Sequence, residues 1–144
     1  HALAITAMQR LLHPVDAEIL KMAGEIQHLI GGGAVKNATA LRGVLARLTG
    51  VVKVHLAMED SSMYPLMVAA KEGQIATMAR RYQKEMGGLA EAYVKYSERW
   101  KQGGAIEAEA GDFSAQTSEV FGKLATRIQR EDEELYPLVD KLGL

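Results

Sequence analysis

The chain has 144 residues and a net charge of −1, with 48% hydrophobic and 24% charged residues. This balance is typical of a globular domain, and the near-neutral charge argues against nucleic acid or an anionic membrane as a partner. The lack of cysteine excludes disulfides, thiolate metal sites and cysteine nucleophiles, and it favours a reducing, cytoplasmic location. No apolar run reaches the ~18 residues that a membrane span needs.

The periodicity of the apolar residues predicts helix throughout, with no sheet. The four long helices are predicted over about residues 4–30, from near Asn37, after Gly73 and from near Asp112. Pro14 either kinks the first helix or starts its main segment, and one further helical turn is expected near residues 106–110. Each helix carries apolar positions spaced four and three apart, as in a bundle seam. We therefore expect one all-α domain over residues 1–144, an up-down-up-down antiparallel four-helix bundle.

The second and fourth predicted helices end in the same sequence, repeated at an offset of 72 residues. Glu-Asp-Ser-Ser-Met-Tyr-Pro-Leu at 59–66 recurs as Glu-Asp-Glu-Glu-Leu-Tyr-Pro-Leu at 131–138, while His55 falls on Arg127. The proline in each copy is expected to end or bend its helix, with a short helical piece after it. Both prolines are expected at the same end of the bundle.

Five polar residues interrupt the otherwise apolar stripes: Asp16, His55, Glu59, Arg127 and Glu131. Residues four apart share a helix face, and the antiparallel order should bring all five to one level inside the bundle. With a neutral histidine they sum to −2, and a divalent cation would balance them, because carboxylates and imidazole are ordinary ligands of iron, manganese and zinc. Alternatively, Arg127 bridges the two glutamates and His55 bonds Asp16 or a water. That closed network needs no metal.

The pattern His55-Leu-Ala-Met-Glu59 followed by Met-Tyr-Pro-Leu, with its echo Arg127-Ile-Gln-Arg-Glu131 followed by Leu-Tyr-Pro-Leu, resembles the hemerythrin-like family of His-His-Glu cation-binding domains. The resemblance covers nearly the whole chain. It implies a four-helix bundle that holds non-haem iron, often two ions, between its helices, and no haem. The implied roles are O₂ binding, iron handling, or redox and nitric-oxide sensing.

The family's ligand positions are occupied in this chain by Asp16, His55, Glu59, Met86, Arg127 and Glu131. Asp16, Met86 and Arg127 stand where relatives have histidine, so one of the four motif histidines is kept. His13 could substitute for a lost ligand if Pro14 reorients the turn. A five-histidine, di-iron O₂ carrier is therefore not expected.

These positions lead us to expect at most one iron-class ion, in sensing, regulation or metal handling rather than O₂ transport. The expected ligands are His55, Glu59, Glu131 and Asp16. The alternative is a metal-free regulatory or protein-interaction bundle in which Arg127 replaces the cation. A small diatomic ligand, a protein partner or a homodimer stays open. An enzyme such as an iron oxidase ranks third, because the ligand set is thin and the chain has no nucleophile–base pair, phosphate loop or redox dithiol.

Gly87 and Gly88 fall within the third predicted helix, where each costs ~1 kcal/mol relative to alanine. They either make room for a small ligand or let a neighbouring helix approach closely, and the second interpretation is favoured. Tyr64 and Tyr136 are expected to pack at the helix ends, and the sequence does not support a hydroxyl group that reaches the polar residues. An aromatic stripe is expected in the core, at Tyr82, Tyr93, Tyr96 and Trp100.

Overall fold

In the computed structural model of the chain, the first predicted helix is α1, Ala2–Gly31. The structure describes residues 2–143, so the predicted domain bounds of 1–144 extend one residue beyond it at each end. Pro14 lies inside α1, and the helix does not start its main segment there. A proline lacks the N–H that would bond to the carbonyl four residues earlier, yet α1 continues on both sides of it.

The remaining elements are α2 (Ala38–Met58), π1 (Glu59–Met63), α3 (Tyr64–Val68), α4 (Gly73–Met86), α5 (Leu89–Trp100), α6 (Ala105–Ala108), α7 (Ala110–Arg130), π2 (Glu131–Leu135) and α8 (Tyr136–Lys141). They form four helical columns: α1, then α2 with π1 and α3, then α4 with α5, and then α7 with π2 and α8. The short helix α6 is the single turn predicted between the third and fourth columns. No strand occurs within residues 2–143, so the all-α prediction is confirmed.

The repeated sequence forms the same structure twice, a π-helical turn followed by a proline. Pro65 and Pro137 each lie in the first turn of the α-helix that follows π1 or π2. A π-helix has a wider turn than an α-helix, and a single such turn is found where one residue is inserted into a helix. The α-helices α2 and α7 therefore end before the prolines, as predicted, but each is followed by a π-helical turn and a short α-helix, so the chain stays helical past both prolines.

The columns pack in a ring that follows the chain order. Helix α1 packs against α2, α2 against α5, α5 against α7, and α7 against α1. Columns that are consecutive in sequence are neighbours in space and are joined by short connections, which is the arrangement of an up-down-up-down bundle. The predicted fold class is confirmed.

The buried polar residues divide the bundle core into two apolar clusters. On α1, Asp16 lies between Leu12 of the smaller cluster and Ile19 of the larger cluster. On the second and fourth columns, the packing likewise changes from the larger to the smaller cluster at the glutamate. The proline-containing ends of both columns pack in the smaller cluster. The two prolines are therefore at the same end of the bundle, as predicted. We call the five residues Asp16, His55, Glu59, Arg127 and Glu131 the polar layer.

The third column is broken at the level of the polar layer. Helix α4 ends at Met86, Gly87 is extended with ψ 151°, and Gly88 is left-handed with φ +86°. A Cβ atom on Gly87 would lie 2.4 Å from the carbonyl oxygen of Gln83, and one on Gly88 would meet no atom within 4 Å. The favoured interpretation, close approach of a neighbouring helix, is therefore wrong. The glycines instead allow a helix break, beside which a surface cleft of about 560 Å³ opens towards α7.

The aromatic stripe lies in the core, because Tyr82, Tyr93, Tyr96 and Trp100 are all at most 3% exposed. Within the described range of residues 2–143, none of the helices combines the length and the apolar character needed to cross a membrane.

Candidate metal centre

Four residues of the polar layer bring their ligand atoms together inside the bundle. One atom each from Asp16, His55, Glu59 and Glu131 lies within 4.8 Å of all the others. Their side chains are buried, with exposed fractions of 1%, 2%, 0% and 0% in that order. The predicted convergence at one level is therefore confirmed, and it extends to Arg127, which is 1% exposed.

The helical geometry explains why these side chains meet. His55 lies in the last turn of α2 and Glu59 opens π1, so the two residues are four apart and face the same way. Glu131 opens π2 in the same manner on the fourth column. Asp16 projects from α1, which packs against both of these columns. Each of these four side chains thus comes from a helical element, and π-helical turns are frequent at functional sites.

The imidazole of His55 lies between two carboxylates. Its Nε2 atom is 2.9 Å from Oδ1 of Asp16 and 3.0 Å from Oε2 of Glu59. Neither contact has hydrogen-bond geometry, and both oxygens of Asp16 and of Glu59 lack a hydrogen-bond partner among residues 2–143. Ligand atoms about 2.1 Å from one ion, and at right angles around it, are about 3 Å apart. These two distances and the unpaired oxygens therefore fit a coordinated cation.

The charges in this cluster change the pKa values of its members. Burial alone would lower the pKa of His55, but the contacts with Asp16 and Glu59 outweigh burial and raise it to about 9. Burial, followed by the negative charge of Glu59, raises the pKa of Glu131 well above its ordinary value. Both shifts favour bound protons, which offset part of the negative charge. A divalent cation would offset the same charge and displace protons.

The sequence matches a known family model over most of its length. The model of the hemerythrin HHE cation-binding domain matches residues 7–139. The chain belongs to this family. The resemblance inferred from the two helix ends is thereby confirmed. Searches of curated proteins and of solved structures found no match.

Arg127 of this hemerythrin HHE domain does not pair with the glutamates in the predicted way. One of its terminal nitrogens donates a hydrogen bond to Oδ1 of Asp60 at 2.5 Å. Its Nε atom is 3.7 Å from Oε1 of Glu59, which is an ion-pair distance but too long for a hydrogen bond. Of the charge-assisted bond expected from Arg127 to Glu59 or Glu131, the ion pair with Glu59 is therefore present, whereas the hydrogen bond is made to Asp60. Arg127 is hydrogen-bonded to Asp60, and the oxygens of Glu59 lack a hydrogen-bond partner among residues 2–143.

Tyr64 is a member of the site that the sequence did not reveal. Its hydroxyl group donates a hydrogen bond to Oε2 of Glu131, across the bundle from the second column to the fourth. Burial, followed by the charge of Glu131, raises the pKa of Tyr64 far above its ordinary value, so the hydroxyl keeps its proton. The equivalent Tyr136 instead points its hydroxyl at the sulfur of Met63, 3.9 Å away. The two copies therefore differ in the partner of the hydroxyl group although both keep the tyrosine.

Asp132 links the buried site to the protein surface. Burial, followed by contact with the carboxyl group of Asp16, raises the pKa of Asp132 to about 7. Its Oδ1 atom is 3.3 Å from Nε2 of His13, whose side chain is half exposed. His13 thus lies beside Asp132 and outside the group of four residues that could hold an ion. Met86, at the family's third-helix position, packs with the smaller apolar cluster.

Proposed function

We propose that this domain binds one iron-class divalent ion in sensing, regulation or metal handling, and not in O₂ transport. The proposed ligands are Asp16, His55, Glu59 and Glu131. The observation that carries the proposal is the set of unpaired, fully buried carboxylate oxygens around Nε2 of His55. Such oxygens are costly to bury unless a cation or hydrogen bonds compensate them.

The donor set indicates the class of ion. Three carboxylates and one imidazole are hard to intermediate ligands, which suit Fe²⁺ and Mn²⁺ and also accept Zn²⁺. When bound, an iron ion would supply redox chemistry and an open position for a small diatomic ligand. The chain's own residues would hold the ion, and Tyr64 would orient Glu131 through its hydroxyl group.

The residues around the centre support a single ion. A second ion would need donors at the positions of Met86 and Arg127. Met86 offers a thioether within the apolar cluster, and Arg127 keeps a fixed positive charge 3.7 Å from Glu59. This arrangement disfavours the di-iron centre of an O₂ carrier, and we expect the purified protein to lack an oxy-form charge-transfer band. A reducing, cytoplasmic setting agrees with the cysteine-free composition.

A metal-free regulatory or interaction module is the second candidate, and one observation favours it. The raised pKa of His55, about 9, makes the imidazole a cation near neutral pH, placed between Asp16 and Glu59. Together with Arg127 it would supply the positive charge that an ion supplies in the first candidate.

Metal binding decides between the two candidates. Protein purified without chelators should contain about one metal ion per chain by elemental analysis, and stripped protein should bind one Mn²⁺, or one Fe²⁺ under anaerobic conditions, by calorimetry. The variants His55→Ala and Glu59→Gln should lose this binding, and Glu133→Gln, which removes one exposed carboxylate beside the site, should keep it. A parent protein that binds neither ion at millimolar concentration would support the metal-free module instead.

A further inference from the structure

We propose that His13 and Asp132 form an outer cation site through which a divalent ion passes to Asp16 and the buried centre. This inference rests on the proposed function, because the outer site serves the same centre. It assigns a role to two residues that are not among the four ligands.

Potential donor atoms form a continuous series from the surface to the centre. The side chain of His13 is 50% exposed, that of Asp132 is 32% exposed, and that of Asp16 is 1% exposed. The Nε2 atom of His13 is 3.3 Å from Oδ1 of Asp132, and the carboxyl group of Asp132 contacts that of Asp16. Oδ1 of Asp16 then lies 2.9 Å from Nε2 of His55. An ion could therefore exchange ligands one at a time without crossing an apolar barrier.

The inner end of this series carries unpaired atoms. Both oxygens of Asp16 and Oδ1 of Asp132 lack a hydrogen-bond partner among residues 2–143. Two carboxyl groups in contact repel each other when both are ionised. A cation between them removes this repulsion. His13 is held in place by packing against the ring of Tyr136, with ring centroids 4.8 Å apart.

The repeated sequence provides an internal comparison. Asp60 is the equivalent of Asp132, is exposed to a similar degree at 34%, and lies next to Glu59. Asp60 is paired with Arg127, whose guanidinium group cannot lose its proton or bind a cation. Asp132 faces a histidine, and a neutral imidazole is a metal ligand. Of the two aspartates, only Asp132 therefore offers a route for a cation.

The rates of ion uptake test this route. Stripped protein would be mixed with Mn²⁺ in a stopped-flow instrument, with free Mn²⁺ followed by a fast fluorescent indicator, and Kd would be measured separately by calorimetry. We expect His13→Ala to lower the association and dissociation rate constants together, by about tenfold, because a local cation site raises the on-rate by that order. Kd should stay within about twofold, because a residue that lowers only the barrier to passage changes both rate constants by the same factor.

Matched variants separate the route from a general effect. His28→Ala removes an exposed histidine from the far end of α1 and should leave both rates unchanged. Asp132→Asn should slow uptake at least as much as His13→Ala does, and Glu133→Gln, one residue away and exposed, should not.

Unchanged rates in His13→Ala, with a parent that binds Mn²⁺, would overturn the route and leave the proposed function intact. Weaker binding caused by faster dissociation alone would also overturn it, because His13 would then act on the bound state. A parent protein that binds neither Mn²⁺ nor Fe²⁺ would overturn the proposed function and the route together, and for a parent that binds Fe²⁺ alone the same rates are measured with Fe²⁺ under anaerobic conditions.

Discussion

Arg127 is the residue that most clearly separates this domain from a two-ion centre. It is fully buried, it donates a hydrogen bond to Asp60, and its charge lies 3.7 Å from Glu59. A guanidinium group stays protonated in a protein and repels a second cation. We therefore propose that the arginine limits the charge that the polar layer can accept from metal ions.

We predict that Arg127→His binds divalent ions at least about tenfold more tightly than the parent. The substitution removes a positive charge and adds an imidazole donor beside the proposed ligands. Calorimetry with Mn²⁺ measures the change. Arg127→Met is the matched control, since it removes the charge without adding a donor. Both variants leave Asp60 without its partner and should cost about 1–3 kcal/mol of stability, since Asp60 is one-third exposed. If Arg127→His binds metal no better than the parent, the other lost ligands decide the number of ions.

The two tyrosines of the repeat allow a second test at the level of single residues. Tyr64→Phe removes the hydroxyl that bonds to Glu131 and should weaken metal binding by about tenfold, as the loss of a group that orients a ligand commonly does. Tyr136→Phe removes a hydroxyl whose contact is a sulfur atom 3.9 Å away and should change Kd by less than about twofold. Equal effects of the two variants on Kd would show that the bond to Glu131 does not orient the ligand.

The sequence predicts which face of its helix each polar residue occupies better than it predicts the residue's hydrogen-bond partner. Asp16, His55 and the two glutamates could be placed inside the bundle because each interrupts an apolar stripe. The pairing of Asp60 with Arg127 could not be predicted, because Asp60 follows a stripe position by one residue, which turns it about 100° away on a regular helix. The direction of the hydroxyl of Tyr64 depends on packing between columns, and a stripe does not encode that packing.

At the level of helices, the sequence predicts the columns, but the structure is needed to locate their interruptions. Apolar periodicity extends over many residues and identifies all four columns. A proline signals a missing hydrogen bond, but not whether a helix ends or widens into a π-turn, which is what happens before Pro65 and Pro137. Similarly, the sequence Gly87-Gly88 is compatible with a close approach of helices. In the structure, Gly88 instead adopts φ +86°, a conformation that glycine reaches readily.

We predict that the helix break in the third column depends on Gly87. Gly87→Ala should lower the free energy of unfolding by about 2 kcal/mol, because the added Cβ would lie 2.4 Å from the backbone oxygen of Gln83 and the chain must shift. Gly122→Ala is the matched control across the cleft, in the middle of α7, where an added Cβ meets no atom within 4 Å. It should stabilise the protein by about 0.5–1 kcal/mol. Urea unfolding of both variants measures the difference, and a neutral Gly87→Ala would show that the break can be repaired at no cost.

For the whole molecule, the position of the polar layer links metal binding to global stability. The layer separates the two apolar clusters, and its four proposed ligands come from three of the four columns: α1, the α2–π1 junction and π2. The third column contributes the glycine break instead of a ligand. One ion would therefore tie three columns together at the level where apolar packing is interrupted. Unfolding would separate these residues, so an ion held by them would bind the folded chain in preference to the unfolded chain.

We accordingly predict that Mn²⁺ raises the melting temperature of the stripped protein. At a free concentration of one hundred times Kd, binding to the folded state alone adds about 2.7 kcal/mol, which corresponds to a rise in Tm of roughly 5–10 °C for a domain of this size. The shift should grow with the logarithm of the ion concentration. His55→Ala should abolish it, and Glu119→Gln, which removes an exposed carboxylate on α7, should keep it. If His55→Ala keeps the full shift, the ion binds elsewhere on the chain, and the buried layer is stabilised by its protons and Arg127 alone.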